Sequence, residues 1–519
     1  MIVFFVFMSW CKAGLDEGIG RYILLAIGSW IVIQSLIKFR ELRSSFTNVF
    51  LYFLIFLIYF GLSYLNPAYR SLESFDLNNV NFNQRIQTAK NKVNANFISQ
   101  RISVILQTNQ NNKNQGLALF NDLKLSYRNR YFSSEHDDLW ILINDLDKNI
   151  KNKKFLSLPS VAIKDKNLLW NFTFMAFSLY FFILLTNRLG HGCVRKFCYI
   201  ILINSFILSL VGIHQKMNYE FGSNVKEIIG LWDAPEPRYY FSTFTYKNHW
   251  SAYALLSIFI GFSLIVKPIQ NFGKIFYRSN EFILILLLLM PIILSVPFSG
   301  SRSGSILLVL SFFSLLFVFT KNFIRKKLKA IILSFSILTS LCILFILLLF
   351  FDKNKTSHEM VTNTQTQLNE FVEGKMPLRY YLWSDAIKTG FHSPFFGWGY
   401  NSYSAINPIF QSSHVQSERY KLLTNAHNPY IPLIAHAHND LLEWWCEWGT
   451  FGVVLFFIPL LVLLIAQILS CYCLENKILL LSVLLIILYS FIDFPSRNPA
   501  CFTLAMICFG LGINRPNNK

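Results

Sequence analysis

Phe282-Ile-Leu-Ile-Leu-Leu-Leu-Leu-Met-Pro-Ile-Ile-Leu-Ser-Val-Pro-Phe298, then Ser299-Gly-Ser-Arg302-Ser-Gly304, then a second apolar run to Thr320, is the stretch that decides the fold. A helix rises about 1.5 Å per residue, so crossing about 30 Å of hydrocarbon takes about 20 mostly apolar residues. Both runs approach that length, and the polar break between them leaves room only for a tight turn. Comparable runs recur near residues 22–37, 47–65, 168–186, 197–214, 250–266, 282–298, 304–320, 330–351, 450–470, 478–493 and 497–513. Met1–Trp10 is equally apolar but would rise only about 15 Å as a helix. It lacks a basic leader and a small-residue cleavage site, so it reads as a short first span, or the remainder of one starting upstream, rather than a removed signal peptide. The expectation is an all-α polytopic membrane protein with about twelve transmembrane helices.

Composition agrees. Of 519 residues, 53% are hydrophobic and only 14% charged, where soluble domains carry about 25% charged residues. A soluble enzyme is excluded. The balance of 47 Lys and Arg against 28 Asp and Glu gives a net charge of +19. With so apolar a chain, that charge points to a membrane and not to nucleic acid. Of nine cysteines only Cys446 falls in either long polar stretch, so no disulfide framework is implied.

The connections form two alternating sets. The short basic ones hold Lys38, Arg40 and Arg43; Arg188, Arg195 and Lys196; Lys267, Lys274 and Arg278; the run Lys321–Lys329; and Arg515 with Lys519. The positive-inside rule makes these cytoplasmic. Residues 11–21, 66–167, 215–249, 299–303, 352–449 and 494–496 are then outside. The chain divides into N-terminal helices (1–65), an extracytoplasmic insertion (66–167), central helices (168–351), a large outer loop (352–449) and C-terminal helices (450–519). Within 66–167, Lys90–Gln107 and Leu117–Tyr127 read as surface helices, and nothing there carries a catalytic pattern.

Chemistry concentrates in the late outer loop, where five of the ten histidines lie between His392 and His438. Imidazole moves protons near neutral pH. In Ala435-His436-Ala-His438-Asn439-Asp440-Leu-Leu-Glu443-Trp-Trp-Cys-Glu447-Trp-Gly449, Asp440 and Glu443 have capping-box spacing, which starts a helix here. Glu443 and Glu447 then share a face and need a cation or a shared proton between them. Trp444, Trp445 and Trp448 serve as an interfacial belt or as platforms for sugar rings. A metal site at His436 and His438 is not expected, because no H-E-x-x-H or cysteine-pair spacing accompanies them.

A second constellation is Ser299-Gly-Ser-Arg302-Ser-Gly304, an arginine on the side the charge rule keeps poor in cations. Approachable backbone N–H groups, a helix start and a guanidinium suit phosphate. The other reading is a turn whose Arg302 snorkels or pairs with Glu447. A third, Tyr246-Lys247-Asn248-His249-Trp250, offers contacts for a polar substrate or an interfacial anchor. Gly397-Trp398-Gly399-Tyr400 matches no phosphate loop.

At these residues the chain resembles the O-antigen ligase/polymerase superfamily of bacterial envelope glycosyltransferases. The ligase signature is His, then Asn, Ser or Gln, nine residues, Gly, two residues, and Gly, Thr or Tyr. His438-Asn439, nine residues, Gly449, Thr450-Phe451 and Gly452 fit it, whereas His427-Asn428 meets His438 where the glycine belongs. The Arg302 segment, Arg379–Tyr403 and Tyr246–Ala252 are also similar to family features, and the likeness runs from about residue 168 to the C-terminus. The resemblance implies a GT-C-like fold in the bacterial inner membrane and catalysis on its periplasmic face. It also implies transfer of a glycan, with inversion, from an undecaprenyl-diphosphate carrier to lipid A-core or another envelope acceptor, without metal or cofactor. His438 would take the acceptor proton, supported by Glu447 and Glu443. Arg302, Arg379 and Lys247 would hold the diphosphate. Asn439, His436, Asn248, Trp398 and Tyr400 would contact glycan or acceptor. An O-antigen or exopolysaccharide polymerase is the alternative, ahead of a protein O-oligosaccharyltransferase or a polysaccharide transporter.

Overall fold

The computed structural model describes residues 1–37, 47–66, 159, 166–186, 191–217, 227–233, 239–323, 377–403, 407, 412, 414–415, 436–471 and 473–513. The expected span at 330–351, the surface helices within 66–167 and the control motif His427-Asn428 lie outside the described residues.

In chain order the helices are α1 (Ile2–Trp10), α2 (Ile19–Ile37), α3 (Thr47–Leu65), α4 (Lys166–Thr186) and α5 (His191–Met217). A two-residue antiparallel ribbon, Glu227–Ile228 with Trp232–Asp233, follows. Then come α6 (Lys247–Phe272), α7 (Asn280–Phe298), α8 (Arg302–Phe323), α9 (Leu378–Phe391) and α10 (Asp440–Gly452). A π-helical turn (Val453–Phe457) leads into α11 (Ile458–Ser470), α12 (Leu474–Tyr489) and α13 (Pro499–Ile513). Seven stretches among the described residues are long and apolar enough to cross a membrane: Ile19–Ile37, Leu169–Thr186, Gly192–Met217, Lys247–Asn271, Asn280–Phe298, Arg302–Phe319 and Asp440–Ser470. Leu51–Leu65 and Pro499–Ile513 are shorter apolar helices. The expected span at 450–470 thus begins ten residues earlier, inside what the sequence assigns to the outer loop.

The chain forms two compact units. The first comprises residues 1–53, 173–372 and 461–519; the second comprises 54–172 and 373–460.

In the first unit α6 is the central helix, buried on nearly every face. Lipid tails are as apolar as leucine, so helices associate through close approach and polar contacts. Gly261 lies against Leu289, Gly304 against Ser251 and Gly212 against Phe241. Ser205 and Ser257 are hydrogen-bonded at 2.8 Å, while Asn204 donates to Ser9 and to Tyr253, both at 3.0 Å. Connections that charge assigns to one side of the bilayer bond to one another. Arg195 donates to Glu281 and to the Leu264 carbonyl, and Tyr199 donates to Glu281 at 2.8 Å. From the other set, Trp232 donates to Asp16 at 2.9 Å and Thr243 to the Ser9 carbonyl at 2.6 Å.

In the second unit α9 and α10 pack together over a small core of Ala386, Tyr403, Ala437 and Cys446, with Leu442 against it. Gly390 leaves room for the Trp445 ring, and Cys446 Sγ donates to the Ala386 carbonyl. Trp448 is buried, stacked on Tyr59 and Phe56 of α3 with ring centroids 5.8 and 5.6 Å away.

Candidate functional site

The second unit holds the histidine motif. Helix α10 does not begin with the capping box expected from Asp440 and Glu443. Its cap is Asn439, in extended conformation, whose side-chain oxygen accepts the Leu442 N–H at 3.1 Å. Moving the cap by one residue places Asp440 first in the helix and buries it completely. It also frees Glu443 for another task. Glu443 Oε1 accepts the Ala437 N–H at 2.6 Å and Oε2 accepts from His436 Nδ1 at 3.1 Å. With Glu443 ionised, its carboxylate only accepts, and Nδ1 is then the donor of this pair. His436 is 31% exposed and Glu443 fully buried, so the carboxylate anchors a ring that opens to solvent. Between that anchor and the cap, His438 is held at φ 54°, a left-handed conformation uncommon outside glycine.

Glu447 meets a donor other than those of Glu443. Glu447, 2% exposed, accepts the Tyr403 backbone N–H through Oε1 at 3.2 Å. Each carboxylate is met by a different donor, which lessens the repulsion expected of neighbours one turn apart. Tyr403 lies within the field of both, and its phenol is also buried. Burial first, then Glu443, Cys446, Asp385 and Glu447, raises its pKa well above the ordinary value. Asp385 is raised too by burial, offset in part by the Ser412 N–H and hydroxyl, at 2.9 and 3.0 Å, and by Lys388.

Gly449 has φ 66° and ψ −178°, a conformation essentially reserved for glycine, and it interrupts α10. The segment 394–399 runs beside the break. Trp398 and Gly399 donate to the Cys446 and Glu447 carbonyls at 2.8 Å, and the Thr450 and Phe451 N–H groups go to the Pro394 and Phe395 carbonyls. A Cβ on Gly449 would strike the Phe395 carbonyl, and one on Gly397 the Glu447 carbonyl. Trp398 is 1% exposed and donates its indole N–H to the Thr389 carbonyl at 2.9 Å, so it packs the interior of this unit. Tyr400 is half-buried, edge-on to Trp448 and Phe60. His392 and His414 are exposed; His392 bonds the Lys388 carbonyl and His414 stacks on Tyr381.

The first unit holds the Arg302 and Lys247 segments and brings them together. Ser301 caps α8 by accepting the Gly304 N–H at 3.1 Å, which makes Arg302 the first residue of that helix. Lys247 is the first residue of α6, and its Nζ lies over the left-handed turn at Gly300, 3.7 Å from where a Cβ would stand. Two helix N-termini, each led by a cation, meet at this end of the unit. Arg379, in the second unit, likewise stands in the first turn of its helix. A helix N-terminus carries about half a positive charge, so a cation there is unfavourable for the helix alone and favourable for a bound anion.

Asn248 is buried and its amide is committed internally. It donates to Tyr246 OH at 2.8 Å and to Asp493, and it accepts from Ser301 Oγ at 2.7 Å. Asp493 is a partner that the sequence reading does not single out. The available signal was an acidic residue at the edge of an apolar span. Among the described residues no group of three or more His, Cys, Asp and Glu is arranged to hold a metal ion.

Residues 284–457 match the family model described as O-Antigen ligase. The matched stretch contains Arg302, Arg379 and the whole His436–Gly452 segment, and it ends short of Asp493. No curated protein matches the chain. The family match bears out the resemblance to the O-antigen ligase superfamily and supports a membrane enzyme of ligase/polymerase type.

Proposed function

We propose that the chain is an O-antigen ligase-like glycosyltransferase of the bacterial inner membrane. It moves a glycan from an undecaprenyl-diphosphate carrier to lipid A-core or another envelope acceptor on the periplasmic face. The observation that supports this best is local. The ligase signature lies inside the family match, and several of its positions have a physical reason in the second unit: His438 is held in a left-handed backbone just before the cap, Asn439 caps α10, and Gly449 breaks it.

In this reading His438 accepts the proton of the acceptor hydroxyl as that oxygen attacks the anomeric carbon. The bond from that carbon to the diphosphate oxygen breaks, and undecaprenyl diphosphate leaves with the electron pair. Arg302, Lys247 and Arg379 stabilise the charge that develops on the leaving group. Glu443 fixes the loop through His436 and Ala437, and Glu447 ties the Tyr403 segment to α10. His436, Asn439 and Tyr400 remain the proposed contacts to glycan or acceptor. Trp398 and Asn248 are the further proposed contacts, and both are buried and also hold the elements around them.

The test is glycan transfer in proteoliposomes from a native undecaprenyl-diphosphate donor to lipid A-core, with EDTA present. One block added per acceptor, lost in His438→Ala and in Arg302→Ala, supports a ligase working without metal. Donor that lengthens in the absence of lipid A-core identifies a polymerase. Full activity in both variants overturns the site.

A further inference from the structure

Asp493 lies in the turn between α12 and α13, 1% exposed, where an unpaired carboxylate would be costly. Its Oδ1 accepts the Phe494 N–H at 3.0 Å and its Oδ2 accepts from Asn248 Nδ2. An amide offers hydrogens on one side and a carbonyl on the other. With Asp493 holding the NH2, Asn248 must turn its oxygen toward Ser301. The Ser301 hydroxyl then donates to Asn248 Oδ1 at 2.7 Å, and its oxygen accepts the Gly304 N–H at 3.1 Å. One buried carboxylate therefore sets the polarity of a chain of hydrogen bonds that ends at the cap of α8, one residue before Arg302. The surroundings hold Asp493 in place. Tyr246 stacks on Phe494 at 5.3 Å, and His249 Nε2 bonds the Phe494 carbonyl at 3.2 Å.

We propose that Asp493 is a positioning residue for Arg302, acting through Asn248 and Ser301 to fix the guanidinium's backbone where the diphosphate is bound. This rests on the reading of Arg302 as a phosphate-binding cation. Asp493→Asn keeps shape and volume but lets the Asn248 amide turn over, so Ser301 loses its fixed acceptor and the cap loosens.

The experiment is a double-mutant cycle on the full chain in proteoliposomes, pairing Asp493→Asn with Arg302→Lys and reading donor KM and kcat separately. A residue acting through Arg302 has little left to lose once Arg302 is replaced. Each single variant is expected to lower kcat/KM roughly tenfold or more, and the double variant to be no worse than Arg302→Lys alone. Multiplying effects would mean that Asp493 serves folding in general and would overturn the proposal. A weakened Arg302→Lys beside an unaffected Asp493→Asn overturns this inference and leaves the phosphate reading standing. Full activity in Arg302→Lys removes both. If Asp493→Asn does not fold, Ser301→Ala, which cuts the same chain nearer Arg302, enters the same cycle with the same outcomes.

Discussion

Glu443 closes over the start of its own helix and holds His436 from beneath, with Nδ1 to Oε2 at 3.1 Å and the carboxylate fully buried. A second carboxylate oxygen on the Ala437 N–H makes this an anchor for the loop as well as for the ring. Removing its charge should loosen both. Glu443→Gln is expected to lower transfer by about 10²-fold with a smaller effect on donor KM, since an oriented site matters more to the transition state than to binding. Steady-state kinetics at several donor concentrations checks this. A change confined to KM would count against it.

The two histidines should separate cleanly. His438→Ala is expected to lose about 10²- to 10⁴-fold in kcat, the usual contribution of a general base. His436→Ala should retain more activity but lose folded stability, because Glu443 is then left buried without its imidazole partner. Measuring kcat and the melting temperature of both variants distinguishes the roles. A larger kcat loss in His436→Ala would move the base to that residue.

Gly449→Ala should destabilise the second unit although it adds only a methyl group. The left-handed backbone alone costs about 1–3 kcal/mol for a residue with a Cβ, and the Phe395 carbonyl stands in the way of the added atom. Gly397→Ala should behave similarly, since its φ is 68° and the Glu447 carbonyl blocks it. Yield of monodisperse protein and melting temperature are the readouts. Wild-type values in both variants would refute the paired-glycine geometry.

Asp385 gives a signed pH dependence. Burial raises its pKa in the folded state, so the folded chain binds more protons than the unfolded chain between the ordinary value of 3.8 and the raised one. Stability is therefore lost as pH rises through that window and stays level above it. Asp385→Asn, which stays neutral, should lose less stability over the same rise and be relatively stronger at neutral pH. Melting curves from mildly acid to neutral pH report the difference, and parallel curves would contradict it.

Tyr403 carries a buried hydroxyl with no hydrogen-bond partner among the described residues. Deleting such a group removes a desolvation penalty without removing a bond. Tyr403→Phe is expected to melt at or above the wild-type temperature. A clear drop would mean that the hydroxyl is satisfied in the working protein.

Much of this molecule was legible as a string because the membrane imposes a simple rule. Every backbone polar group inside hydrocarbon must be bonded within its own segment, so apolar runs of sufficient length become helices. The run 282–298, its partner after Arg302 and the stretches that became α4, α5 and α6 were readable on that ground. The histidine motif was readable as a pattern, because its spacing is a property of the string.

The start of α10 was not readable to the residue. Asn439 and Asp440 are both good caps, and the choice between them depends on whether Glu443 can reach the Ala437 N–H, a matter of three-dimensional distance. Nor did the string reveal that Trp398 would be buried or that Asn248 would be bonded on both sides of its amide. The sequence by itself determined where most of the described apolar helices run and where histidines, carboxylates and cations cluster between them, because these follow from local hydropathy, charge and spacing. Only the tertiary structure decided which carboxylate serves which donor and that Asp493, 245 positions away in the chain, completes the Asn248 amide. Hydrogen-bond partners are chosen by proximity in space, and a folded chain sets that proximity without regard to separation in sequence.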